Sequence, residues 1–428
     1  MTTDRRTFLA RLAAAPLALA GAPLVHAAPA LSESNFGLSY ARASRGNAWL
    51  EIDAAGFERN IAELRKLLDP AVQVCAVLKA DAYGHGLDLL VPSVVRARIG
   101  WIGICTNDEA RIARVRGFRG RIMRLRTATL EEVEDGMAHR IEELVGNAAY
   151  AQDLADIARR RGARLRVHFA LNSAGMSRNG LELATIEGKR DAGVILGLAH
   201  LQIVGLMSHF PVEAVDDMRD STARFAADTD WLKATGQLPA KAPLLHLANS
   251  WGTLNVPESR LDMVRTGGVL FGDSDPAYTQ FQRIMTLKSR VATINHYPAG
   301  NTVAYDRTYK LARDSWLANI PVGYSDGYRR TMSHANQPEP QASQAFVLVR
   351  GRRLPVVGRV TMNTVMVDAT DIKDEIRIDD EAVLYGRQGG EEITQGGLED
   401  IAHTIGADLY TVFGNSLPKV LKPAHGAG

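Results

Sequence analysis

The chain has 428 residues, enough for two domains with large buried cores. Hydrophobic residues make up 46% and charged residues 23%, the balance of a globular protein in water. A net charge of +2 over this length argues against a nucleic-acid or membrane-surface partner and leaves small polar substrates.

The first 27 residues read as a secretory signal rather than as part of the fold. Arg5 and Arg6 precede Thr7-Phe8-Leu9, an apolar stretch runs from Leu12 to Val25, and His26-Ala27 close it with a small-residue site. The twin arginine points to the Tat route, although Asp4 and Ala10 depart from that motif and Sec export is the alternative. The apolar run is short for a retained membrane anchor. A periplasmic location follows as an expectation.

From about residue 70 to 270, short apolar runs alternate with stretches of helical character. The runs are Val74–Leu78, Trp101–Cys105, Arg121–Leu125, Ile141–Val145, Leu165–Leu171, Ile203–Met207, Leu244–Ala248 and Leu261–Val264. Such runs suit strands covered on both faces. Eight of them alternating with helices predict a (β/α)8 TIM barrel over residues 47–280, with an open doubly wound sheet as the alternative.

After about residue 280 the texture changes. Arg283–His296, Trp316–Val322, Ala345–Val349, Leu354–Val360, Thr364–Val367 and Ala382–Tyr385 read as strands without intervening helices. They predict a mostly antiparallel β domain over residues 281–428, with one helix at about Leu398–Ile405 and an exposed loop at Gln337–Gln344. Two cysteines, Cys75 and Cys105, without clustered histidines do not make a zinc site.

The first barrel run ends in Lys79. A lysine at the C-terminal end of a barrel strand faces the catalytic side of that fold. The apolar residues before it partly desolvate the amine, which favours Schiff-base chemistry. By itself, such a lysine is more often a snorkelling surface residue. The whole stretch Ala76-Val77-Leu78-Lys79-Ala80-Asp81-Ala82-Tyr83-Gly84-His85-Gly86, however, resembles the cofactor-lysine motif of the alanine racemases, the fold-type III pyridoxal 5'-phosphate enzymes.

The resemblance spans about residues 47–420. Trp49–Asp53 is similar to the family's opening strand, which packs with the C-terminal domain. The resemblance implies that Lys79 carries the cofactor and that Tyr83 contacts its phosphate. It implies that His209, in Ser208-His209-Phe210, stacks on the pyridine ring. Ser250, at the end of His246–Ser250, becomes a phosphate ligand, and Gly267 and Gly268 offer backbone amides beside it. Arg265 is implied to meet the pyridine nitrogen. A guanidinium has donors and no acceptor, so it keeps that nitrogen unprotonated and the ring a weaker electron sink. This argues for racemisation over decarboxylation.

Racemisation needs a base on each face of the α-carbon. Lys79 serves one face. Tyr305, in Thr302–Tyr309, resembles the family's second base, which reaches the lysine from the partner subunit. A homodimer with shared sites is therefore implied, with free amino acids as substrates. Met362, in Gly358–Asn363, resembles the residue that offers its amide to the substrate carboxylate. Gly323–Tyr328 resembles the entrance turn, and Arg178, in Gly175-Met176-Ser177-Arg178, the arginine that orients the phenol and the substrate.

Three departures stand out. Phe169–Ala174 lacks the lysine that usually precedes the Gly-Met-x-Arg stretch, so a bound chloride is a candidate to position Arg178. Asn415 falls where a tyrosine normally narrows the pocket, which predicts a wider one. The signal and the cysteines complete a resemblance to the periplasmic broad-specificity amino acid racemases, which act on lysine and arginine. Cys75 and Cys105 fall on neighbouring strands about 4.8 Å apart, and a disulfide between them is expected. Competing readings are a strict alanine racemase, a decarboxylase or D-amino acid dehydratase of the same fold type, and a non-catalytic amino-acid or cofactor binder.

Overall fold

The computed structural model describes residues 46–275, 277–335 and 344–423. The expected signal at 1–27 and most of the 337–344 loop lie outside the described residues. No helix among the described residues is long and apolar enough to cross a membrane.

Eight short strands form one parallel sheet: β2 (Gln73–Val77), β3 (Trp101–Ile104), β4 (Arg121–Arg124), β5 (Ile141–Val145), β6 (Leu165–Ala170), β7 (Leu201–Met207), β8 (Leu244–His246) and β9 (Met263–Thr266). Their order is β8-β7-β6-β5-β4-β3-β2-β9. The ends meet where the Arg265 amide donates to the Ala248 carbonyl at 3.0 Å, giving a nearly closed barrel. Each of the eight expected runs became one of these strands. Helices fill the connections, two of them started by threonine capping boxes at Thr106/Glu109 and Thr129/Glu132.

The second sheet begins before the barrel. Strand β1 (Ala48–Ile52) runs antiparallel to β10 (Met285–Arg290) and parallel to the last strand, Lys419–Leu421. It is fully buried, as expected of a strand joining the C-terminal domain. The run 283–296 divides into two strands, β10 and β11 (Thr293–Tyr297). The break comes where the Val291 amide turns to Asp380 and the Ala292 amide to Asn319, so the chain changes sheets. Strands β12 (Thr302–Val303) and β13 (Tyr309–Lys310) pair as a hairpin whose tip carries Tyr305. Near the end, one helix covers Gln395–Ala402, slightly earlier than expected, because Thr394 caps it and His403 at φ +52° stops it. A second helix, Gly406–Ser416, was not expected.

The cysteine expectation is corrected. Cys75 pairs in register with Trp101, not with Cys105, and both cysteines are free. Cys105 lies four residues further along, about 13 Å at 3.3 Å per residue, beyond the reach of a disulfide. Cys75 packs instead among Trp101, Met123 and Met263, and burial pushes its thiol up to about 12.

Candidate active site

Lys79 follows β2 and begins a turn of unusual hand. Ala80, Asp81, Ala82 and Tyr83 all have φ between +53° and +55°. None is glycine, and a left-handed turn costs roughly 1–2 kcal/mol per such residue. Tertiary contacts impose it. The Asp81 carboxylate accepts from the Leu87 amide at 2.7 Å and pairs with Lys419 at 2.8 Å. The Asp81 amide donates to Glu109 at 3.2 Å. The His85 ring nitrogen sits 3.0 Å from the Ala82 carbonyl and 2.9 Å from that of Tyr83. The turn points Lys79 and Tyr83 into one space, with the Lys79 amine 5.8 Å from the Tyr83 ring centre. Ala80 is exposed and uses no side-chain contact here. Ala80→Gly is therefore expected to stabilise the protein by about 1 kcal/mol, the reverse of its effect in an ordinary helix. A urea midpoint that falls would show that this turn is not left-handed in solution.

A cavity of about 510 Å³ opens at the C-terminal ends of the barrel strands. It brings together Lys79, Tyr83, Arg178, His209, Ser250, Arg265, Gly267 and Gly268, eight of the residues expected from the sequence. At one end the Ser250 hydroxyl oxygen accepts from the Gly267 amide at 3.1 Å and the Val269 amide at 3.3 Å. Gly267 cannot carry a side chain, since a Cβ would lie 2.5 Å from the Tyr83 hydroxyl. The Ser250 hydroxyl, these backbone amides and the Tyr83 hydroxyl thus gather at one end of the cavity.

Arg265 is buried behind the cavity. One terminal nitrogen meets His246 Nδ1 at 2.8 Å; the other donates to the Ser208 and Leu247 carbonyls at 2.8 and 3.1 Å and approaches His209 Nδ1 at 3.3 Å. All four contacts are made by the terminal nitrogens and none by Nε. Burial, then the charges of Arg265, Arg178 and Lys79, hold His209 down at about 3, so its ring is neutral at physiological pH. Arg178 lines the cavity with no hydrogen bond or ion pair among the described residues.

Three expected residues are elsewhere. Tyr305 is 65% exposed and Met362 54% exposed, and neither lines the cavity of its own chain. Ion pairs from Arg330 and Arg359 to Asp306 fix the Tyr305 tip beside the Gly358–Met362 segment. Ala304, Asp306 and Arg307 flank the tyrosine at φ +58°, +64° and +51°, a strained presentation of the kind found at functional sites. The third residue is a correction: Asn415 is exposed on the Gly406–Ser416 helix and does not line the cavity. Tyr410 of the same helix lines it instead, and its hydroxyl donates to Asp273 at 2.6 Å. None of the motifs that resemble the family includes Tyr410. Among the described residues no cluster of His, Cys, Asp and Glu is placed to hold a metal ion.

The alanine racemase N-terminal domain model matches residues 52–275, and the C-terminal domain model matches residues 284–421. A broad specificity amino-acid racemase from Aeromonas hydrophila is 52% identical over 88% of this chain and 90% of its own. A lysine racemase from Proteus mirabilis is 43% identical over 88% of this chain and 89% of its own. Among solved structures, the alanine racemase of Streptomyces coelicolor A3(2) superposes with a TM-score of 0.79 at 29% identity, covering 88% of this chain and 98% of the other. The chain belongs to the alanine racemase family and is an enzyme that racemises amino acids.

Proposed function

We propose that the chain interconverts the L and D forms of free amino acids with a broad side-chain range, using pyridoxal 5'-phosphate held at the barrel mouth. Members of this family depend on that cofactor, and the residues present fit it. Lys79 offers an amine, Ser250 with the Gly267 and Val269 amides offers a phosphate cradle, and Arg265 lines the same cavity with a guanidinium that would meet the ring nitrogen. The convergence of Lys79, Tyr83, His209, Ser250 and Arg265 on one cavity at the strand ends is the observation that carries the reading. The cofactor, when bound, withdraws electrons from the substrate's α-carbon. Lys79 then takes or returns the α-proton on one face. The neutral His209 presents an uncharged ring for stacking.

The second base is Tyr305 of a partner subunit. This rests on the exposure of Tyr305 and Met362 together, outside their own chain's cavity. A homodimer with two shared sites follows. A chloride beside Arg178 is proposed in place of the missing lysine, and the N-terminal sequence supports export to the periplasm. The breadth of substrate range rests on the named activities of the Aeromonas and Proteus relatives. A chiral assay with L-lysine, L-arginine and L-alanine tests it. D-lysine or D-arginine is expected at a rate within about tenfold of D-alanine, a gap of about 1.4 kcal/mol in barrier. Turnover of alanine alone would restrict the enzyme to the strict racemase reading.

A further inference from the structure

Behind Arg265 a line of buried side chains crosses the barrel interior. Arg265 reaches His246 Nδ1 at 2.8 Å, His246 Nε2 reaches His168 Nδ1 at 2.9 Å, and His168 Nε2 reaches Glu142 Oε2 at 3.0 Å. Arg121 clamps the Glu142 carboxylate with Nε and a terminal nitrogen at 2.6 and 2.7 Å, and Arg166 adds a contact at 3.1 Å. We propose that Glu142, His168 and His246 form a relay that fixes the tautomer of both histidines and thereby holds Arg265 as a donor toward the cofactor ring. They are positioning residues, and the inference rests on the cofactor reading above.

The proton placement follows from the two ends. Arginine only donates, so His246 Nδ1 must accept and its proton sits on Nε2. That proton points at His168 Nδ1, which accepts in turn, leaving the His168 proton on Nε2. An ionised carboxylate only accepts, which completes the line. Reversing any link would set two donors face to face at Arg265. Both rings are fully buried, and burial holds both below the ordinary histidine value, so each carries a single proton. In such a low-dielectric interior each link is stronger and a misplaced one more costly.

Gly205 is independent support. It lies in β7 opposite His168, and a Cβ there would come 2.3 Å from His168 Nδ1 and 2.8 Å from His246 Nε2. The strand gives up a side chain where the two imidazoles meet. The relay therefore has a sequence position that disturbs it without replacing any of its members.

The first experiment needs no cofactor. Nitrogen-15 NMR of histidine-labelled protein, stripped of pyridoxal phosphate, should show His168 and His246 as neutral Nε2–H tautomers. An Nδ1–H tautomer at either ring overturns the proposal. The second experiment uses the loaded enzyme with L-alanine and follows pyruvate, formed when the cofactor aldehyde takes the amino group. A loosened Arg265 lets the ring nitrogen accept a proton and strengthens the electron sink, so pyruvate per racemisation event should rise about tenfold in Gly205→Ala, as for other outer-shell partners. Should Gly205→Ala fail to fold, Glu142→Gln carries the same test. An unchanged ratio in a folded variant means the line only fills the barrel, and the proposal falls. Loss of all activity in the unaltered enzyme would overturn the racemase reading, while the tautomers would still be measured.

Discussion

Co-expression of Lys79→Ala and Tyr305→Phe subunits should restore about a quarter of the activity of the unaltered enzyme, as random pairing into twofold dimers requires. Each variant alone should lose about 10²- to 10⁴-fold, the usual cost of removing a positioned acid–base group. The arithmetic is geometric. Half of the dimers are mixed, and in each mixed dimer one site combines an intact Lys79 with an intact Tyr305. The other site lacks both. The expectation comes directly from the Tyr305 hairpin, which the Asp306 ion pairs hold on the surface and outside its own chain's cavity. Affinity tags on the two subunits would isolate the mixed dimer. If that dimer forms and stays inactive, the second base does not come from the partner.

The barrel strands were legible because strands buried on both faces read as continuous apolar runs, whereas Lys79, Ser250 and Arg265 just after them stood out through the family resemblance. The opening strand Ala48–Ile52 was legible through the same resemblance, and it is buried along its whole length. Register was not. Strand spacing alone made Cys75 and Cys105 look like partners, yet the offset between β2 and β3 decides what faces what, and it sets Trp101 against Cys75. The left-handed turn after Lys79 was also hidden, since four non-glycine residues run against local preference. The Gly406–Ser416 helix was missed, and with it Tyr410. Gly414 weakens a helical pattern, but it is required there because a Cβ would lie 2.1 Å from the Gly84 carbonyl oxygen. Asn415 falls where the resemblance places a pocket tyrosine, but the helix leaves it exposed and away from the cavity. Glu142 and His168 gave no signal, because a polar residue inside a short strand has no motif to mark it.

Glu143→Leu is expected to destabilise the protein by about 3–5 kcal/mol, the cost of leaving a buried charge without its partner. Arg124 is fully buried at the end of β4, and Glu143 on β5 is almost so. The guanidinium donates to both carboxylate oxygens, at 2.7 and 3.1 Å, and also to the Cys105 carbonyl at 3.0 Å and Asn107 at 2.6 Å. Burial pushes the Glu143 carboxyl up even though Arg124 pulls it down. Desolvation thus outweighs the attraction, and ionising Glu143 works against folding as pH rises through its value. The pair as a whole then adds little net stability. Arg124→Met placed in the Glu143→Leu chain should accordingly restore most of the loss, with the Cys105 carbonyl and Asn107 accounting for what remains. Urea unfolding of the two single variants and the double variant closes the cycle. If the double variant is no more stable than Glu143→Leu alone, the loss comes from packing at position 143 and not from a stranded charge. The site has a stake in the answer, because Arg124 holds the strand end at Cys105, two residues past the partner of Val77 and level with Lys79.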